Sequence, residues 1–312
     1  MDGPLTKIPL ATADYRRHVP READVLLRNR YIEINPVLNT VKTQAAVYTG
    51  SAQSGPAYIS RPGLRFWQII GAGPIRAIFS QPGTFNDDLF VVSADKLYRV
   101  NRTTGAPTLL FTGLAGTGTH ATVRMAATGD VGIVTPHLWI ADGVTLRYYT
   151  ADMGGSVNDV AMPDGVGVID VAVINSYVIV IPAQGAGING RFYWVKPAAV
   201  IVDALDFATA ERSADPVYQV VVFNDQFWLP GQSTTEVWFM SGDDNAPVQR
   251  QEGVVFDRGT ISGTAIQIKD FMVMFDNDGG VFKIQGGETR ISTPDIAERL
   301  RKAINAQNIL AP

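Results

Sequence analysis

The sequence contains no cysteine, only three histidines, and no long uninterrupted apolar run. The missing thiols exclude disulfide frameworks, Cys-ligated zinc and thiol nucleophiles together, and leave folding independent of the redox compartment. His18, His120 and His137 stand far apart with no ligand spacing among them, so no metal site is expected. The most apolar stretch, 166–182, is interrupted by Asp170 and Asn175 and falls short of the ~18 apolar residues of a membrane span, so it reads as two core strands. Residues 1–10 carry Asp2 and lack the apolar segment of a secretory leader, so Asn101-Arg102-Thr103, an N-glycosylation tripeptide, has no secretion signal beside it. Charge is sparse: 18% of residues, 26 basic against 30 acidic, net −4. That balance excludes broad wrapping of nucleic acid, which needs a dense basic face.

Catalytic signatures are missing as well. With no Gly-Lys dipeptide there is no P-loop, and neither Gly-x-Ser-x-Gly nor His-Glu-x-x-His occurs. Gly185-Ala186-Gly187-Ile188-Asn189-Gly190 matches the spacing of a dinucleotide fingerprint, but such a site needs a following helix whose N-terminus faces the pyrophosphate. Here Arg191-Phe192-Tyr193-Trp194-Val195 follows, which is strand chemistry, so the glycines read as a hairpin loop. Asp276-Asn277-Asp278-Gly279 begins like a calcium loop, yet the position of the bidentate Glu falls on Gly287, and a turn is expected. No catalytic residue, cofactor or metal is therefore assigned.

What is present is a recurring block: an apolar strand, a turn rich in Asp, Asn or Gly, and a strand ending in aromatic and β-branched residues. It occurs at 88–100, 132–149, 171–195, 220–240 and 266–284. Leu97, Leu146, Phe192, Val237 and Val281, taken as equivalent anchors, lie 49, 46, 45 and 44 residues apart. A period near 45 residues with several strands per repeat is that of a β-propeller blade; a sandwich leaves the even spacing unexplained and solenoid coils are shorter. The turns Ala94-Asp95-Lys96, Asp142-Gly143, Asn175-Ser176, Asn224-Asp225 and 276–280 suit hairpins. None of the five tryptophans precedes an aspartate, and Ser93-Ala94-Asp95-Lys96-Leu97 lacks the glycine of a sialidase-type Asp-box.

The fold class expected is thus all-β, with propeller-like repeats over 61–291, an N-terminal arm over 1–60, and one late helix with a tail over 292–312. In the arm, Tyr31–Ile34 and Ala45–Tyr48 read as strands. In the late segment Ser292 or Thr293 can cap, Pro294 suits a first helical turn, and Ile296, Leu300 and Ile304 share a face. Arg16, Arg17, Arg21, Arg28 and Arg30 crowd the arm, and Arg299, Arg301 and Lys302 the helix. Both groups are interface candidates, with a solvated face salt-bridged to Asp14, Glu22, Asp24, Glu33 and Glu298 as the plainer reading.

Two groups of residues carry a resemblance to a known family. The first is Ile8-Pro9-Leu10, Asn29-Arg30-Tyr31-Ile32-Glu33-Ile34-Asn35-Pro36 and Ser60-Arg61-Pro62-Gly63-Leu64. The second is Gly231-Gln232-Ser233-Thr234-Thr235-Glu236-Val237-Trp238-Phe239, a glycine-containing segment at 254–263, Gly280-Val281-Phe282-Lys283-Ile284, and the Ile-rich helix at 295–304. In order and spacing, over about residues 29 to 304, these resemble the packaged-DNA stabilisation (tail hub, or nozzle) proteins of P22-like short-tailed phages. The resemblance implies a non-enzymatic virion tail subunit, made in the bacterial host cytoplasm and assembled as a hexameric ring. The implied partners are a portal adaptor ring protein and tail fibre or tailspike proteins, with DNA passing through the channel without sequence-specific binding and no membrane insertion. It also implies further β repeats beyond the helix, where this sequence stops at Pro312, leaving open a second chain, a shortened relative or a longer sequence. The alternative is a ligand-binding, carbohydrate-binding or carbohydrate-active propeller in which Trp139, Trp194, Trp228 and Trp238 stack on sugars instead of packing between blades. A host-side scaffold propeller fits the repeats but not the family-like stretches.

Overall fold

The computed structural model describes residues 30–33, 57–60, 67–116, 122–129, 135–151, 155–185, 187–210, 215–243, 246–285 and 287–306. The chain forms two units, Met1–Trp67 and Gln68–Pro312. In the first, β1 (Arg30–Glu33) and β2 (Ala57–Ser60) form an antiparallel pair with Tyr31 opposite Ile59. The strand expected at 31–34 is thus present one residue early, and that at 45–48 lies outside the described residues.

The second unit contains five four-stranded antiparallel sheets, each a simple meander. The first holds β3 (Ile75–Phe79), β4 (Leu89–Ser93), β5 (Lys96–Val100) and β6 (Pro107–Thr112). The second holds β7 (Arg124–Ala127), β8 (His137–Ala141), β9 (Leu146–Thr150) and β10 (Val157–Val160). The third holds β11 (Val168–Ile174), β12 (Tyr177–Pro182), β13 (Arg191–Val195) and β14 (Phe207–Thr209). The fourth holds β15 (Val221–Phe223), β16 (Gln226–Pro230), β17 (Thr235–Met240) and β18 (Val248–Phe256). The fifth holds β19 (Ile266–Ile268), β20 (Phe271–Phe275), β21 (Val281–Ile284) and β22 (Glu288–Arg290), followed by α1 (Pro294–Ala306).

The expected propeller-like architecture is borne out, and all five anchors fall on third strands: Leu97 on β5, Leu146 on β9, Phe192 on β13, Val237 on β17 and Val281 on β21. The turns are not equivalent, however. Those at 94–95, 142–145 and 276–280 join second to third strands, whereas Asn175-Ser176 and Asn224-Asp225 join first to second. In these two-residue loops both residues are left-handed, with φ of 48° and 66° at 175–176 and 53° and 56° at 224–225. That is the geometry whose twist matches a hairpin, and Asn and Asp tolerate it.

The blades are held together by apolar cores between consecutive sheets. Alternate residues of one strand serve two cores. On β8, Leu138 and Ile140 pack toward the first sheet, while Trp139 and Ala141 pack toward the third. On β12, Val178 and Val180 face the second sheet and Ile179 and Ile181 the fourth. A strand buried on both faces needs apolar residues at every position, which is why these segments read as continuous runs. Between the third and fourth sheets Phe192 meets Trp238 edge-on at 5.0 Å and Phe227 at 5.6 Å. Met272, Met274 and Phe282 join the fifth sheet to Trp228 and Val237 of the fourth. Among the described residues, no such core joins the fifth sheet to the first. Ile75, Ile78 and Leu109 on one, and Ile266 and Ile268 on the other, are exposed.

Helix α1 forms where expected. Thr293 precedes it, accepting the Ala297 N–H on its carbonyl and the Ile296 N–H on its hydroxyl at 3.4 Å. Its buried face is rotated from the one expected: Ala297 and Ile304 are buried, Leu300 is half-buried, and Ile296 is 49% exposed. The helix sits against the β20–β21 turn so closely that a β-carbon on Gly279 would collide with the Ala297 carbonyl and the Arg301 N–H. The backbone of α1 therefore fixes which residues face inward, and the short side chain of Ala297 is what the close approach admits.

Candidate functional site

The innermost strands β3, β7, β11, β15 and β19 line one axial cavity of about 480 Å³. Each contributes small or medium apolar side chains, such as Phe79, Met125, Ala172, Val222 and Ile266, and the polar lining is amide only: Gln81, Gln219 and Gln267. Among the described residues no charged side chain lines it, and those residues bring no general acid, base or nucleophile to the cavity.

Charge is concentrated at one end, where the inner strands begin. Asp170, directly before the lining residue Val171, accepts the N–H of Val220 on the neighbouring blade at 2.9 Å and that of Val171 at 2.9 Å. Arg124, directly before Met125, brings its Nε to 3.9 Å from the Asp170 carboxylate. Burial pushes the Asp170 carboxyl up to about 6, with Arg124 and the two N–H groups pulling the other way. Gln219 closes the next joint, its amide donating to the Ala265 carbonyl at 2.7 Å and accepting the Ala265 N–H at 3.2 Å.

The joint between the first and second blades uses a different device. Asp142 accepts N–H groups from Ala115, Val144 and Thr145 at 2.9, 3.0 and 2.7 Å and pairs with Arg147. Burial alone would raise its pKa, but the three N–H groups and the guanidinium hold it below the usual carboxylate value. Arg76, its ordinary pKa lowered by burial, donates to the carbonyls of Ala94, Ala115 and Gly116. These charged groups tie loops between blades.

Arg16, Arg17, Arg21 and Arg28 lie outside the described residues. Arg30 stands on β1, opposite Ser60. On α1, Arg301 and Lys302 both pair with Glu298, the lysine at 3.5 Å, and Arg299 is exposed. Of the histidines, His18 and His120 lie outside the described residues. His137 packs edge-on against Tyr148 at 5.5 Å, and burial lowers its pKa. No group of three His, Cys, Asp or Glu side chains able to hold a metal occurs among the described residues. No helix among them is long and apolar enough to cross a membrane. Of the glycine-rich stretch, residues 187–190 form a turn leading into β13 and residue 186 lies outside the described residues, and Asp276 is a turn residue paired to Arg258 at 2.5 Å. Asn101 caps its own turn, its side-chain oxygen accepting the N–H groups of Thr103 and Thr104. The four tryptophans weighed as sugar platforms are core residues: Trp139, Trp194, Trp228 and Trp238 are 0%, 8%, 6% and 7% exposed.

The family model described as bacteriophage P22 Gp10, beta-propeller, matches residues 30–309. A search of curated proteins finds no match. Among solved structures, PorZ of Porphyromonas gingivalis, described as an essential surface component of the type-IX secretion system, is 12% identical with a TM-score of 0.46. The match covers 72% of this chain and 28% of PorZ. Saccharomyces cerevisiae Sqt1 is 12% identical, TM-score 0.46, covering 69% of this chain and 60% of Sqt1. Kuenenia stuttgartiensis hydrazine synthase is 10% identical, TM-score 0.47, covering 73% and 69%. The chain thus spans less than a third of PorZ and about three fifths of Sqt1.

Proposed function

Because the chain belongs to the phage stabilisation family of bacteriophage P22 Gp10, a family of phage structural β-propeller proteins, we propose that it is a subunit of the tail nozzle ring in the virion. In this role copies of the chain extend the portal channel, retain the packaged genome and conduct it during ejection. The observation that carries this reading is the extent of the match, which runs through all five blades and the helix.

The physical chemistry of the fold supports a passive wall. In this role the DNA runs in a channel that several copies enclose. The net charge of −4 lets a duplex slide without being held by phosphate contacts. The exposed Ile75, Ile78, Leu109, Ile266 and Ile268 are the kind of apolar surface that assembly covers. The portal adaptor ring and the tail fibres or tailspikes are the expected neighbours. Native mass measurement of the purified chain mixed with its adaptor ring, together with particle images, tests the proposal. A closed ring bound to the adaptor is expected, and monomers with no ring association would overturn it. Trp139, Trp194, Trp228 and Trp238 are buried between blades, so these four do not favour the sugar-binding alternative.

A further inference from the structure

Arg124 is placed where no purely local role requires it. It begins β7 of the second blade, yet the end of its guanidinium lies so close to Gly263, in the loop leading to β19 of the fifth blade, that a β-carbon there would collide with it. The third and fourth blades stand between those two in the order of sheets, and the inner strands of all five border one cavity. A side chain from the second blade reaches the fifth only across the axis. On the way it passes Asp170 of the third blade, with Nε 3.9 Å from the carboxylate. Arg124, Asp170, Gln219 and Ala265 all stand at the start of their lining segments, so the guanidinium lies over one end of the cavity.

We propose that Arg124 and Asp170 form a proton-sensitive latch over that end of the axial cavity, closed when Asp170 is ionised and released when it is neutral. Arg124 is the charged group facing Asp170. Among the described residues, the other elements packed on the carboxylate present uncharged groups: Ile181 opposite it on β12, the Val220 N–H from the fourth blade, and Val171 on its own strand. Burial raises the carboxyl to about 6, which places the exchange of its proton between mildly acid and neutral solution. When the carboxylate is protonated, the Coulombic hold on Arg124 disappears, and its side chain, already 28% exposed, swings to solvent. Gly263 is required because any side chain there fills the place where the guanidinium rests.

The lack of cysteine provides a clean assay in the full chain. Ala172, which lines the cavity, is changed to cysteine (Ala172→Cys), and its maleimide labelling rate is divided by that of an exposed control, Ala303→Cys, to cancel the reagent's own pH dependence. The ratio is expected to rise severalfold as pH falls from about 8 to about 5, spanning the carboxyl's transition. Added Asp170→Asn should give the high ratio at both pH values, as should Arg124→Gln, which removes the bar itself. A ratio that stays flat with pH overturns the latch, as does an Asp170→Asn protein labelled no faster than its parent at about pH 8. If Asp170→Asn fails to fold by circular dichroism, Arg124→Gln decides the matter, since unchanged labelling in that variant also overturns it.

Discussion

The carboxylate of Asp170 on the third blade accepts the backbone N–H of Val220 on the fourth at 2.9 Å, in surroundings that leave it almost wholly out of water. Burial makes this acid resist ionisation more than Arg124 and the two N–H groups favour it, and its pKa of about 6 lies above that of an unfolded aspartate. The folded chain therefore binds more protons than the unfolded chain between about pH 4 and 6, and this group's contribution to stability falls as pH rises through that window. The expected loss is of the order of 3 kcal/mol, from roughly two pH units at 1.4 kcal/mol each. Thermal unfolding across the window should show Asp170→Asn with a flatter pH dependence than the parent chain; parallel curves would sink the assignment.

Asp142 has the opposite sign. Burial would raise its pKa, but the N–H groups of Ala115, Val144 and Thr145 and the Arg147 guanidinium outweigh it. Its contribution is present above the unfolded pKa and lost as pH falls through the lower folded value. Asp142→Ala leaves three N–H groups without their acceptor and Arg147 with Asp159 alone as its carboxylate, 2.7 Å from Nε, at an expected cost of about 3 kcal/mol or more near neutral pH. Asp142→Asn, which keeps an acceptor oxygen, should cost about 1–3 kcal/mol. Urea unfolding of both variants checks the order; equal losses would show that the acceptor oxygen kept by asparagine contributes nothing and that the charge alone carries this joint.

Much of the fold was legible in the sequence because the third strands repeat a strong apolar anchor, from Leu97 to Val281, at nearly constant spacing. The strands at the blade edges were less legible. Glu288–Arg290 of β22 is exposed throughout, so no burial constrains its composition. The two kinds of hairpin joint look alike in sequence because both are rich in Asn and Asp, yet the left-handed positions are Asn175, Ser176, Asn224 and Asp225 in one kind and Ala94, Gly143 and Gly279 in the other. Asp170 was visible as an acid inside an apolar run, which signals a specific partner. That partner was not visible, since Arg124, Val220 and Gly263 meet it or each other only through the arrangement of whole blades.

The helix shows how a one-residue offset in the buried face has measurable consequences. Ile304 is 6% exposed and Ile296 is 49% exposed, although both belong to the apolar stripe of α1. Ile304→Ala removes packed methyl and methylene groups and should cost about 2–4 kcal/mol. Ile296→Ala should stay within about 0.5 kcal/mol of the parent chain. Chemical denaturation distinguishes the two; comparable losses would mean that the face presented to the sheet is the one that spacing alone suggested.

Gly279 and Gly253 separate backbone strain from crowding. Both have φ in the left-handed region, at 78° and 75°, but a β-carbon at Gly253, in the irregular stretch of β18, would meet nothing within 4 Å. Gly253→Ala therefore carries only the left-handed penalty, about 1–2 kcal/mol. At Gly279 the same penalty is joined by a collision with the carbonyl of Ala297 and the N–H of Arg301, which are backbone atoms and cannot rotate away. Gly279→Ala must push α1 off the β20–β21 turn, so it should cost clearly more than Gly253→Ala. It should also raise amide hydrogen exchange along α1 while leaving the second and third blades unchanged. If exchange in the helix were unaffected, the close approach of α1 to this turn would not hold in solution.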